Sequence, residues 1–173
     1  MRDLVAVEAM SVHLPPIDER RVESGSAEET RALGQRLGSV LQPGDFVGLV
    51  GDLGAGKTEL VRGIADRIGV EKSQVASPTF AIVYPYEGGR LPLFHADLYR
   101  VADFDELYAT GFLDLLGAGG AVVVEWIDRI WEAASEDALI VTFLPWPEDP
   151  DRRTLHARAH GGRSAQLLGE WLD

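Results

Sequence analysis

The sequence predicts an α/β protein with three layers, in which helices cover both faces of a mixed central sheet. Two short and nearly all-apolar runs, residues 45–50 and 121–124, are typical of strands buried at the centre of such a sheet. Segments with helical periodicity lie between and after them. Two pairs of strand-like runs separated by turn residues add hairpins, so the sheet should contain antiparallel as well as parallel pairs.

The chain is expected to begin with an irregular extension over residues 1–20. Ser26 followed by Glu29 matches a capping box, which predicts the start of a first helix. Pro43 and Gly44 end that helix just before the first apolar strand.

A second helix is predicted to start near Lys57 and to end at Gly69, because a buried apolar stripe recurs at helical spacing between them. Residues 80–86 and 91–95 flank the turn-forming stretch 87–90, and this spacing predicts a hairpin. The later elements are a helix over 103–116, the strand 121–124, a helix over 127–134, a hairpin of 139–144 with 154–159, and a helix over 164–172.

Length and composition indicate one globular domain, residues 21–173, without repeats. There is no cysteine, so disulfides and thiolate metal sites are excluded. No run approaches the roughly 18 apolar residues of a membrane span, and the first residues lack the apolar core of a signal peptide. A cytoplasmic protein that does not contact membranes is expected.

The chain carries 16 basic and 28 acidic residues, for a net charge of −12. Such a chain should not attract nucleic acid by itself, so any nucleic acid in its function should be held by a partner. The acidity can also serve solubility alone.

The stretch GDLGAGKT, residues 51–58, meets the phosphate-loop pattern G-x-x-x-x-G-K-[ST]. Glycines allow the backbone N–H groups to approach phosphate oxygens, and the following helix adds partial positive charge. Lys57 supplies an ammonium to the β- and γ-phosphates, and Thr58 offers a hydroxyl to Mg²⁺. The chain's own residue frequencies give roughly 2 chance matches per 1,000 such chains. The fold is therefore expected to resemble that of P-loop NTPases.

A P-loop site also needs an acid at the end of a neighbouring strand, and Glu125 follows the strand 121–124. The alternative for Glu125 is an exposed carboxylate with no metal role. The sequence contains no asparagine, so the N-K-x-D motif that reads guanine is absent and ATP is favoured over GTP. A D-x-x-G match at residues 114–117 follows a helix-like segment and is discounted.

Four further residues have two open interpretations each. Thr79 could sense the γ-phosphate or belong to a plain turn. Asp97 could orient the attacking water or cap the next segment. His95 is interpreted as a packed, hydrogen-bonded residue rather than a ligand, and Trp126 as a core or interface anchor rather than a catalyst.

Taken in order, GDLGAGKT, SPTF, HADLYR and VVVEW resemble the motifs of the TsaE (YjeE) family, from about residue 23 to about residue 163. This is the small ATPase family of bacterial tRNA threonylcarbamoyladenosine (t6A) synthesis. The sequence departs from the family in its longer amino-terminal extension and in Ile127, where proline is common.

The resemblance implies ATP and Mg²⁺ as cofactors, with Thr58 and Glu125 as the metal ligands. Asp97 and Thr79 would be catalytic or switch positions, together with Lys57. The start of the first helix, residues 26–30, would lie near the adenine. The residues around the nucleotide would be Gly54, Ala55, Gly56, Lys57, Thr58 and Glu59, with Arg152 as the nearest match for a late arginine and Arg153 as the other possibility.

The resemblance also implies a role. TsaE proteins bind the TsaD and TsaB subunits, and TsaD places the threonylcarbamoyl group on adenosine 37 of tRNA. A weak ATPase that resets this complex between turnovers is the leading hypothesis, with tRNA contacted only through the complex. Phe80, Tyr99 and Trp126 would transmit the γ-phosphate state. The alternatives are a small-molecule or nucleoside P-loop kinase, and a module that binds nucleotide without turnover.

Overall fold

A computed structural model describes residues 15–70 and 83–173. Seven strands form one sheet: β1 (Asp18–Ser24), β2 (Phe46–Val50), β3 (Val83–Tyr86), β4 (Leu93–Asp97), β5 (Ala121–Glu125), β6 (Ala138–Trp146) and β7 (Asp149–Ala159). The helices are α1 (Ala27–Val40), α2 (Lys57–Ile68), α3 (Phe104–Ala109) and α4 (Gly162–Leu172). Short 3₁₀ turns cover Phe112–Gly117, Ile127–Arg129 and Trp131–Ala133.

The strand order is β1-β7-β6-β2-β5-β4-β3. β2 pairs in parallel with β5 and β6, and β4 pairs in parallel with β5. The pairs β3–β4, β6–β7 and β1–β7 are antiparallel. The predicted α/β class with a mixed sheet is therefore confirmed, and the parallel strands lie at its centre.

Two apolar cores lie on opposite faces of the sheet. One face packs against α1, α2 and α4, with Leu37, Ile64 and Trp171 among its buried residues. The other packs against α3 and the 3₁₀ turns, through residues such as Leu107 and Ile127. Both faces are covered, so the central strands are mostly apolar, with Glu125 at the carboxyl end of β5.

Helices α1 and α2 approach each other closely because glycines line their contact. A Cβ added at Gly34 would lie 2.2 Å from the Leu60 carbonyl oxygen, and one at Gly63 would lie 2.0 Å from the Arg31 carbonyl oxygen. This contact packs α1 directly against the helix that follows the phosphate loop.

Ser26 is confirmed as the N-cap of α1, but the return bond of the predicted capping box goes to Gly25 N instead of Ser26 N. The Ser26 side chain accepts from Glu29 N at 3.1 Å, while the Glu29 carboxylate accepts from Gly25 N at 2.6 Å. Gly69 ends α2 in the left-handed conformation at φ 99°, as a residue without Cβ permits.

Three predicted elements are corrected. The helix predicted over 103–116 breaks at Gly111, where φ is +80°, into α3 and a 3₁₀ turn. The helix predicted over 127–134 is two 3₁₀ turns. The second hairpin is longer than predicted, because β6 and β7 extend through most of the stretch that the sequence analysis took for a loop.

The amino-terminal boundary also differs. β1 begins at Asp18 and pairs with β7, so residues 18–20 belong to the sheet and not to the irregular extension predicted over residues 1–20. The first hairpin is confirmed as β3 and β4, although residues 80–82 of its predicted first strand lie outside the described residues. Across residues 15–70 and 83–173, no helix has both the length and the apolar character needed to cross a membrane.

Candidate functional site

The candidate site lies where the carboxyl ends of β2, β4 and β5 meet. In the sheet register Leu49 pairs with Glu125, and Asp97 pairs with Glu125 on its other side. The phosphate-loop sequence leaves β2 at this edge and enters α2 at Lys57. The fold thus brings the loop and the two predicted carboxylates together, at the edge where α/β sheets bind ligands.

The loop backbone depends on glycine at two positions. Gly54 has φ +78° and Gly56 has φ +106°, both in the left-handed region that disfavours side chains. Gly56 is also the N-cap of α2 and provides no side-chain cap. The first N–H groups of α2 therefore keep no side-chain acceptor from their cap, and such a helix start favours an anion.

Lys57 lies inside the loop with 4% of its surface exposed. Its ammonium donates to the carbonyl oxygens of Gly51 and Asp52, at 2.5 and 2.9 Å. It also lies 4.2 Å from the centre of the Trp126 ring, a cation–π distance. Burial lowers the pKa of Lys57, and the nearby Glu125 carboxylate opposes that shift.

Thr58 and Glu125 meet directly, as the sequence analysis predicts for a metal pair. The Thr58 hydroxyl donates to Glu125 Oε1 at 2.9 Å, and Glu125 is only 2% exposed. The second carboxylate oxygen, Oε2, lies 2.6 Å from His95 Nε2. His95 is fully buried, in agreement with its interpretation as a packed, hydrogen-bonded residue.

This donor set fits Mg²⁺ bound together with phosphates. Mg²⁺ prefers hard oxygen ligands and in nucleotide sites takes only one or two from the protein. The described residues contain no group of three or more His, Cys, Asp or Glu side chains suited to a metal. A cation held by Thr58 and Glu125 would therefore need phosphate oxygens and water to complete its shell.

Asp97 ends β4 beside Glu125. Its Oδ1 accepts from Tyr99 N at 2.9 Å, which is the capping contact considered for it. Burial lowers the pKa of Lys57, and the negative charge of Asp97 is one of those that oppose this shift. Thr79 and Phe80 lie outside the described residues.

The Glu59 side chain points away from the loop interior. Its carboxylate pairs with Arg31 of α1 at 2.9 Å and with Arg62 of α2. Its backbone N–H lies in the first turn of α2, where N–H groups have no acceptor within the helix. Thr30 in the first turn of α1 does come near the loop, since its methyl group would lie 3.7 Å from a Cβ at Gly56.

Of the two late arginines, Arg153 reaches the loop. Its Nε donates to the Ala55 carbonyl oxygen at 3.0 Å, and its Nη2 lies 3.4 Å from the Gly54 carbonyl oxygen. Arg152 instead pairs with Glu23 and lies 4.0 Å from the Trp146 ring centre. Of the two arginines named for the nucleotide contact, Arg153 is therefore the one that contacts the phosphate loop, whereas Arg152 contacts Glu23 and Trp146.

Asp128 is a further residue of the site that was not predicted from the sequence, and its charge acts on Lys57. Its Oδ1 is buried and has no hydrogen-bond partner, and burial raises the pKa of this carboxyl group. The signal was Glu125-Trp126-Ile127-Asp128, in which a second acid follows the first by three residues. The predicted helix over 127–134 concealed it, because such an acid is ordinary on an exposed helix face.

Trp126 is an anchor inside the site. It has φ 59°, a left-handed value uncommon for a bulky residue. Its ring packs 4.8 Å from that of Tyr99, and Arg129 lies 5.6 Å from the Tyr99 ring on the surface. A continuous stack therefore runs from Lys57 to an exposed arginine.

Comparison with known proteins identifies relatives of this chain. Residues 24–154 match the family model described as "Threonylcarbamoyl adenosine biosynthesis protein TsaE". This match includes the loop, Glu125 and Arg153.

Curated relatives carry the same description. The chain is 36% identical over 143 residues to the tRNA threonylcarbamoyladenosine biosynthesis protein TsaE of Bacillus subtilis, covering 83% of this chain and 87% of that protein. It is 44% identical over 112 residues to the protein of that name from Streptomyces coelicolor, covering 63% and 74%. The crystal structure of Bacillus subtilis YdiB matches with a TM-score of 0.74 and 29% identity, over 89% of this chain and 94% of that one.

Proposed function

The chain belongs to the TsaE family of threonylcarbamoyladenosine biosynthesis proteins, and on that basis we propose that it is the ATP-hydrolysing subunit required to form t6A at position 37 of tRNA. Its ATPase is weak and depends on Mg²⁺. It binds the complex of TsaD and TsaB and resets that complex between turnovers. The tRNA is contacted only through the complex.

The observation that supports this proposal best is the direct bond between the Thr58 hydroxyl and the Glu125 carboxylate, at 2.9 Å, beside the glycine loop and the start of α2. These residues come from separate elements 67 positions apart in the chain. Their meeting is what a Mg²⁺-nucleotide site requires of a protein.

ATP and Mg²⁺ are the proposed cofactors. The N–H groups at the start of α2 hold the phosphates, and Lys57 adds positive charge beside them. Thr58 and Glu125 hold the metal shell, which supplies charge neutralisation at the transferring phosphoryl group. The absence of asparagine removes the usual guanine-reading motif and favours adenine.

The chain's own residues then have separate tasks in hydrolysis. Lys57 balances negative charge that builds up on the phosphate oxygens in the transition state. Asp97, at the end of β4, positions the attacking water, either as a base or as an acceptor that orients it. Trp126 and Tyr99 connect Lys57 to the surface. Through these contacts, nucleotide binding at Lys57 changes the surface that a partner protein contacts.

The proposal is tested by reconstitution with TsaD, TsaB, tRNA and the substrates of threonylcarbamoyl transfer. We expect t6A formation over many turnovers only when this chain and ATP are present. Lys57→Ala should abolish both ATP binding and multiple-turnover t6A formation. Multiple turnovers without this chain would disprove the proposal, and phosphorylation of a small molecule would favour a kinase instead.

A further inference from the structure

A line of buried hydrogen bonds runs behind the proposed metal carboxylate. Glu125 Oε2 lies 2.6 Å from His95 Nε2, and His95 Nδ1 lies 3.3 Å from the Tyr86 hydroxyl. His95 is fully buried, and Glu125 and Tyr86 are each 2% exposed. All three side chains are therefore almost completely shielded from bulk solvent.

The sheet register explains how these side chains meet. His95 pairs with Val123 and Asp97 pairs with Glu125 in the parallel β4–β5 ladder. Since side chains alternate between faces, His95 and Glu125 are diagonal neighbours on the same face. This face packs against α1 and α2, and α2 carries Thr58.

The direction of the hydrogen bonds follows from their chemistry. An ionised carboxylate only accepts, so His95 Nε2 must donate to Glu125. A neutral imidazole then accepts at Nδ1, which suits the Tyr86 hydroxyl as donor. On the other side, Thr58 donates to Glu125 Oε1, which leaves the Thr58 lone pairs free to face a cation.

We propose that His95 is a positioning residue for the metal site, which fixes the Glu125 carboxylate so that its other oxygen meets Thr58. This rests on the proposed function, because it assumes that Thr58 and Glu125 hold Mg²⁺. The hydrogen-bond partners of His95 are Glu125 and Tyr86, so it acts on the metal site through Glu125. Tyr86 in turn fixes the orientation of the imidazole.

Packing alone would not explain a histidine at this position. An apolar ring of similar size would fill the same volume between β3 and β5, since the neighbours of His95 on this face are mostly apolar. Without the donor, however, Glu125 Oε2 would be a buried acceptor lacking its hydrogen bond, which is costly. The carboxylate would then turn toward other donors, and its geometry at Thr58 would be lost.

The test compares His95→Phe, which fills the space without a donor, with His95→Gln, whose amide can still donate to Glu125. ATP binding is measured by calorimetry over a series of Mg²⁺ concentrations and again in excess chelator. Mg²⁺ should enhance ATP binding, and we expect His95→Phe to raise the Mg²⁺ concentration that gives half of this enhancement by about 10- to 100-fold. Loss of a residue that supports a metal ligand typically has an effect of this size. His95→Gln should have a Mg²⁺ requirement close to that of the natural protein. The ATP affinity measured in excess chelator should be the same for both variants and the natural protein.

Tyr86→Phe provides a second variant if His95→Phe does not fold. It removes one hydroxyl and should shift the Mg²⁺ requirement in the same direction by a few-fold. An unchanged Mg²⁺ requirement in the folded variants would overturn the proposal, as would equal losses with and without Mg²⁺ that His95→Gln fails to rescue. Absence of Mg²⁺-dependent ATP binding in the natural protein would instead reject the proposed function itself.

Discussion

Arg153 is the cation that the second hairpin presents to the phosphate loop. It donates to the Ala55 carbonyl oxygen at 3.0 Å, and its guanidinium adds positive charge beside the loop. We expect Arg153→Ala to weaken ATP binding on the order of 10-fold, because a hydrogen bond to a charged group contributes about 1.5–3 kcal/mol. Titration calorimetry with Mg²⁺ and ATP measures the effect.

Arg152→Ala is the matched control. This neighbouring arginine is paired with Glu23 at the surface, and such exposed pairs contribute at most about 1 kcal/mol. ATP affinity should stay within about twofold of the natural protein, since Arg152 has no contact with the loop. A larger loss from Arg152→Ala than from Arg153→Ala would reverse the assignment.

The choice between these two arginines could not be made from the sequence. Adjacent residues in a strand point to opposite faces, so a shift of one position in the pairing exchanges them. The β6–β7 ladder contains an irregularity between Pro145 and Trp146, close to where Arg153 pairs. Local sequence carries little signal for such a bulge.

Asp128 adds a further negative charge near Lys57, where phosphates are proposed to bind. We expect Asp128→Asn to tighten the binding of metal-free ADP by roughly two- to fivefold. The reason is that repulsion between the Asp128 carboxylate and the ADP phosphates should cost about 1 kcal/mol or less at a partly solvated site. The comparison is made at pH 8 and low salt, since burial raises the pKa of this carboxyl group.

Added salt should reduce the difference, because screening weakens charge interactions that reach solvent. Glu136→Gln, at an exposed acid on the following segment, serves as the control and should leave ADP affinity unchanged. If Asp128→Asn weakens ADP binding instead, Asp128 supports the position of Lys57 rather than opposing the phosphates.

Lys57, Thr58 and Glu125 could be predicted because their chemistry is tied to a short motif and to the end of an apolar strand. Asp128 could not, since its position depends on the 3₁₀ turn Ile127–Arg129 and on the left-handed Trp126 before it. The left-handed residue and the turn set the direction in which Asp128 leaves the backbone, and its charge acts on Lys57 from there.

The glycine contact between α1 and α2 allows the phosphate-loop helix to pack at very short range. A Cβ at Gly34 would lie 2.2 Å from the Leu60 carbonyl oxygen, so the helices would have to separate. We expect Gly34→Ala to lower the free energy of unfolding by about 3 kcal/mol, the upper range for overpacking. Urea unfolding followed by circular dichroism measures the change.

Gly162→Ala is the corresponding control in α4. A Cβ there meets nothing within 4 Å, and alanine favours a helix over glycine by up to about 1 kcal/mol. This variant should be as stable as the natural protein or slightly more so. Equal stability of Gly34→Ala and the natural protein would mean that the two helices can separate at little cost.

The start of α4 is capped by Asp137, whose carboxylate accepts from Arg163 N at 2.9 Å and from Ser164 N at 2.8 Å. Burial alone would raise the pKa of Asp137, but these hydrogen bonds together lower it. We expect Asp137→Asn to cost about 1 kcal/mol at pH 7, because the amide keeps one of the two acceptor oxygens and loses the negative charge that favours a helix start.

The pH dependence of this cap follows from the lowered pKa. Its contribution is fully present above the unfolded value of about 3.9 and is lost as the pH falls through the folded value. The difference in unfolding free energy between the natural protein and Asp137→Asn should therefore be constant from pH 5 to 7 and shrink below about pH 4. A difference that grew on acidification would contradict this.

Across the described residues, the hydrophobic pattern predicted where most strands and helices lie. It did not predict where helices break or are replaced by 3₁₀ turns. The break at Gly111 and the two 3₁₀ turns after β5 are set by packing of Leu107, Phe112 and Ile130 against the sheet. Such tertiary contacts override local helix propensity. The central strands were predictable because burial on both faces leaves a continuous apolar run.

The arrangement of the whole sheet could be predicted only in part. Apolar strands indicated the parallel centre and turn residues indicated the hairpins. The addition of β1 beside β7 could not be read from the chain, because Asp18–Ser24 alternates exposed and half-buried residues and is rich in charge. Pairing with an edge strand, rather than hydrophobicity, makes this segment a strand.

The acidic charge of the whole chain bears on whether it can bind tRNA by itself. With 16 basic and 28 acidic residues, it has little with which to displace counterions from an RNA backbone. We expect no retention of fluorescently labelled tRNA by this chain alone, at about 10 µM protein and 150 mM salt, conditions under which basic proteins bind nonspecifically. Fluorescence anisotropy measures this, with a basic tRNA-binding protein as positive control. Salt-sensitive binding at lower concentration would show that the chain meets tRNA directly, contrary to a role exercised through protein partners.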